Sequence, residues 1–129
     1  MATTYPLPTW LSGTAGPVTA AEAVVLFGGS HTTTSASFIV VAQAVLDLDK
    51  FSAPLAMYWN QSTVPGGTAI VELLDVTGSS TLASLVVSST GIMSASVTNP
   101  GGVRLLQVRQ RRVAAPGSTT IQGVTLIGG

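Results

Sequence analysis

The chain has 129 residues, enough for one hydrophobic core, and only 8% of them are charged, five basic against five acidic. That balance excludes a broad electrostatic pull toward nucleic acid or anionic membrane, and the lack of cysteine excludes disulfides and thiolate metal sites. A neutral, charge-poor chain lacks the repulsion that keeps monomers apart, so the composition leans toward assembly.

Residues 1–22 read as an extended N-terminal arm ahead of a β-sandwich domain, 23–129. Pro6, Pro8, Gly13, Gly16 and Pro17 interrupt any regular element there. Trp10 and Leu11 sit mid-arm, and burying an indole is worth a few kcal/mol, so they dock on their own domain or on a neighbouring subunit. Thr19–Glu22 has the pattern of one capped helical turn. The start, Met1–Pro6, has neither the basic residue nor the apolar run of a secretory leader, which predicts folding in a cytoplasm.

From Ala23 the pattern is β. Ala23–Phe27 is a short apolar run stopped by Gly28 and Gly29, and Ser30–Ser35 reads as a polar loop holding His31. Phe38–Asp49 alternates with a period of two, which puts Phe38, Val40, Ala42, Ala44, Leu46 and Leu48 on one face. Leu55–Gln61 alternates too, with Trp59 inward and Tyr58 opposite. Thr68–Asp75 and Thr81–Ser88 flank a five-residue hairpin loop. Gly91–Thr98, Val103–Val113 and Thr119–Ile127 complete about eight strands, with a bulge expected at Gly123. Short strands at even spacing, with no run of helical periodicity, predict an all-β antiparallel sandwich. Eight strands favour a jelly roll over a seven-stranded immunoglobulin type.

Catalytic parts are scarce, and no catalytic, cofactor-binding or metal-ligating residue is assigned. His31 is the single histidine, and no carboxylate lies near it in sequence to orient an imidazole. Asp47 and Asp49, two apart on a strand, would share a face and could help hold a hard cation; a solvated strand end is the plainer reading. Four of the five basic residues lie at Arg104, Arg109, Arg111 and Arg112. They fit a solvated strand end, contacts with a partner subunit, or nucleic acid, and too few cations elsewhere extend the patch for the last. Tyr58 and Asn60 are the candidate ligand surface, because a ring beside an amide is how sugar-binding sandwiches hold a pyranose.

The runs Ala69–Asp75, Leu82–Leu85, Val103–Val108 and Thr120–Leu126 resemble the later strands of jelly-roll modules. Two groups share that style, carbohydrate-binding modules and the head-decoration (cement) proteins of tailed bacteriophages. The low charge, the Ser/Thr/Gly/Ala richness and the Pro-rich arm are more similar to the phage group. The resemblance implies a virion structural protein: a homo-oligomer, with a trimer favoured, seated on the major capsid protein at the capsid surface. It implies no cofactor and no nucleic-acid or membrane partner. A tail or fibre component, or a carbohydrate-binding module, is the alternative.

Overall fold

The computed structural model describes residues 22–113 and 116–129. The expected arm, with Trp10 and Leu11, lies outside the described residues apart from Glu22, which opens the first strand. Eight strands follow in order: β1 (Glu22–Thr33), β2 (Ile39–Asp47), β3 (Leu55–Thr63), β4 (Ala69–Asp75), β5 (Ser80–Val87), β6 (Gly91–Val97), β7 (Val103–Arg112) and β8 (Thr119–Gly128). One 3-10 turn, Leu48–Lys50, joins β2 to the loop before β3.

The strands form two four-stranded antiparallel sheets, ordered β1-β8-β3-β6 and β2-β7-β4-β5. Only the β4–β5 hairpin keeps consecutive strands in one sheet; every other connection crosses to the opposite sheet. This is the double-Greek-key order of a jelly roll. Period-two alternation supplies the core between the sheets: Met57 and Trp59 from β3, Val71 and Leu73 from β4, Leu106 and Val108 from β7, Ile121, Val124 and Leu126 from β8. Trp59 is fully buried, as its place in the alternation predicts.

Three expectations need correction. Ser30–Ser35 is a loop only from Thr34: β1 runs on through Gly28 and Gly29 to Thr33, and His31 pairs with Ile121 of β8. Two register shifts, between Val25 and Phe27 and between Phe27 and Ser30, absorb the glycines that look like a stop. In β2 the register slips between Val40 and Ala42, so one face does not run the length of the strand. Val41 packs against the core, Val40 turns out to solvent, and the Phe38 ring lies under Arg109 and Arg111. Finally, the strand ends at Asp47, so Asp47 and Asp49 do not share a strand face. Asp47 instead caps the 3-10 turn, its Oδ1 accepting from the Asp49 amide at 3.1 Å.

Candidate functional site

A chain of buried polar groups ties the sheets together near one end of the sandwich. Trp59 Nε1 can only donate, and it donates to Gln61 Oε1 at 2.9 Å. That fixes Gln61 Nε2 as a donor, to Thr63 O and to Thr119 Oγ1, both at 2.8 Å. Thr119 Oγ1 then donates to Gln110 Oε1 at 2.9 Å. Gln110 Nε2 donates to His31 Nδ1 at 2.8 Å and to His31 O at 3.0 Å. The indole thus sets the direction of every link, and the last one needs Nδ1 of His31 as an acceptor. Gln61, Thr119 and Gln110 are fully buried, so these partners replace water outright. His31 is therefore a brace between β1 and β7.

Above this chain, on the outer face of β1-β8-β3-β6, polar side chains stand in rows. Ser30 pairs with Gln122, Gln122 with Asn60, and Asn60 with Ile92, a row that crosses all four strands. Asn60 Nδ2 donates to Gln122 Oε1 at 3.0 Å, and Gln122 Nε2 reaches Ser30 Oγ at 3.5 Å. One row further, Thr32, Thr120 and Thr63 link through their hydroxyls at 2.7 Å. On the other side, Val25, Thr125, Tyr58 and Ser94 form the next row.

The rows are not evenly spaced, and that makes a hollow. From Tyr58 to Asn60 β3 advances two residues, whereas β8 uses three, Thr125 to Gln122, and β1 five, Val25 to Ser30. The surplus backbone carries Gly28, Gly29 and Gly123, the last at φ +61°. With Ser30, Asn60, Ile92 and Gln122 these glycines line an open hollow of about 530 Å³. Neither of the candidate ligand residues is stranded: Asn60 lines the hollow, and Tyr58 stands two residues along the same face of β3.

The other outer face, that of β2-β7-β4-β5, carries Arg109, Arg111 and most of the exposed valines. Arg109 donates from Nε to Glu72 Oε1 at 2.8 Å, forms a salt bridge with it, and stacks its guanidinium 4.6 Å from the Phe38 centroid. Arg111 stacks on the same ring at 5.2 Å. Gln107 Nε2 donates to Gln43 Oε1 at 3.1 Å on the adjacent rung. Arg104 points the other way and pairs with the fully buried Asp75 at 3.1 Å. Arg112 Nε donates to Thr34 O at 3.0 Å. Only Arg109 and Arg111 of the four therefore meet over a common partner.

No family model and no curated protein matches the chain. The crystal structure of the infectious bursal disease virus VP2 subviral particle is similar to it, with a TM-score of 0.48 and 11% identity over 83% of this chain. The chain spans 32% of that structure's chain.

Sequence reasoning missed Ser30, Ile92 and Gln122. The four side chains of the row come from β1, β3, β6 and β8, so no local motif could join them. The double glycine did carry a signal: a Gly pair inside a pattern that resumes alternation marks a bulge as readily as a stop.

Proposed function

We propose that this chain is a virion structural module, a decoration protein that assembles with copies of itself, as a trimer, on the major capsid protein at the surface of a phage-type head. Its work is binding and assembly, with no catalytic step. The observation that carries this reading is the outer face of β2-β7-β4-β5. Val40, Val45, Val86 and Val103 are 45, 65, 61 and 62% exposed there. Val40 and Val45 stand on the edge strand β2, Val103 on β7 and Val86 on the far edge strand β5, so a partner that buries all four must span the whole sheet.

Two polar pairs between the valines suit burial, while Arg111, stacked on Phe38, would need an acceptor from the partner. Arg109 is matched by Glu72 and Gln107 by Gln43, so a partner covering this face would strand neither pair. Arginine stacked on a ring is also common at interfaces. A near-zero net charge leaves copies free to approach one another.

Sedimentation velocity tests the assembly step. The wild-type chain is expected to sediment as an oligomer at about 100 µM, a concentration at which an ordinary specific contact is filled. Val45→Glu combined with Val86→Glu is expected to sediment as a folded monomer. A wild-type chain that stays monomeric, and that fails to bind shells stripped of it, removes the reading.

A further inference from the structure

We infer that the hollow on the outer face of β1-β8-β3-β6 is a binding site for a neutral saccharide. It lies on the opposite sheet from the assembly face, so it does not depend on that reading.

The glycines come first. Gly28 lies inside β1, where glycine costs stability because it packs nothing and orders the most backbone. Among the described residues, no close contact requires it. Its φ is not in the left-handed region, and a Cβ there would meet one atom, Val25 Cγ1, at 4.0 Å, an ordinary contact. Gly29 differs, since a Cβ there would press on the Phe27 ring at 3.2 Å. The missing side chain at Gly28 leaves room in the hollow for a ligand to come close to the backbone.

The lining says what that ligand is. Ser30, Asn60 and Gln122 are uncharged, and each can both donate and accept. Asn60 spends one N–H on Gln122, and its Oδ1 and second N–H are engaged by no described residue. The neighbouring rungs, Thr32-Thr120-Thr63 and Val25-Thr125-Tyr58-Ser94, carry no charge either, with Val25 half exposed and Thr125 buried. A charged ligand would find no counter-ion in the lining. A sugar hydroxyl, itself donor and acceptor, finds a match at each of these three side chains. Ile92, 62% exposed at the end of the row, offers an apolar surface for the C–H face of a pyranose. A hollow of about 530 Å³ falls within the range of small-ligand sites.

The site is also held rigid from beneath. His31, Ile121 and Gln61 form the inward rung next to the Ser30-Gln122-Asn60 row. Gln61 and His31 belong to the buried polar chain, which fixes β1, β3 and β8 against β7. A row of amides on strands braced in this way loses little freedom when it binds, which favours a weakly interacting neutral ligand.

Two-dimensional amide NMR on the full chain tests this with glucose, galactose, mannose and N-acetylglucosamine as probes, each to about 50 mM, since lone sugars of this kind bind in the millimolar range. At least one is expected to shift the backbone signals of Gly28, Gly29, Ser30, Gln122 and Gly123 and the side-chain amides of Asn60 and Gln122. Gly28→Val, which fills the floor of the hollow, is expected to weaken binding about tenfold or more while the thermal midpoint stays level or rises. Asn60→Ala is expected to weaken it similarly, with the spectrum still dispersed. The inference is overturned if none of the four sugars moves these signals. It is equally overturned if binding survives both substitutions, or if N-acetylneuraminic acid or a peptide binds there in preference to every neutral sugar.

Discussion

At the scale of single residues, the buried polar groups are the most sensitive points. Gln61 is the hub of the interior chain, since it accepts from Trp59 and donates to Thr63 and Thr119. Gln61→Leu keeps the volume but leaves a buried indole N–H unpaired and Thr119 without its donor. We expect a loss of about 2–3 kcal/mol, read from the urea midpoint, because an unmade buried hydrogen bond costs more than a made one contributes. Thr125 is the opposite case. It is fully buried, and among the described residues its Oγ1 is the one buried side-chain polar atom without a partner. Thr125→Val replaces that hydroxyl with a methyl of the same shape. A gain of about 1 kcal/mol is expected, measured in the same titration, and a loss would mean that the hydroxyl has a partner beyond the described residues.

At the scale of elements, β4 and β7 are joined across their outer face by Glu72 and Arg109. Glu72 is almost wholly buried, so Arg109→Leu strands a carboxylate; a cost of about 3 kcal/mol is expected. Arg109→Leu with Glu72→Leu should recover most of that, since the pair is then replaced by apolar contact. A double-mutant cycle in urea checks both, and a double variant no better than the single would mean the pair is not the source of the loss. Part of the strand pattern was legible. The alternation in Leu55–Gln61 placed Trp59 inside and Tyr58 opposite, because an unbulged strand keeps its period. What was not legible lies where the period breaks. The slip at Val41 reversed Phe38 and Val40, and the surplus residues around Gly28 hid the second half of β1 behind a turn signal. Bulges are set by the partner strand, which a local window does not contain. For the same reason the hydrogen bond from Asn60 to Gln122, 62 residues away, could not be read from the sequence.

At the scale of the whole molecule, the two sheets share one core and present unlike outer faces. One bears neutral hydroxyl and amide rows around a hollow; the other bears valines around a matched ion pair. For the assembly proposed above, the division decides what should drive association. If the arginines of β7 made the contact through charge, raising sodium chloride from about 0.1 M to 1 M would dissolve it, as the screening length falls from about 10 Å to about 3 Å. If Val40, Val45, Val86 and Val103 make it, the same change should leave the oligomer intact, and sulfate should tighten it by strengthening apolar burial. The structure favours the second outcome, because Arg109 already spends its charge on Glu72 and Arg104 on Asp75. Sedimentation equilibrium across that salt series is the measurement. An association constant that falls tenfold or more would move the interface from the valines to the guanidinium of Arg111, which stacks on Phe38 and has no carboxylate partner among the described residues.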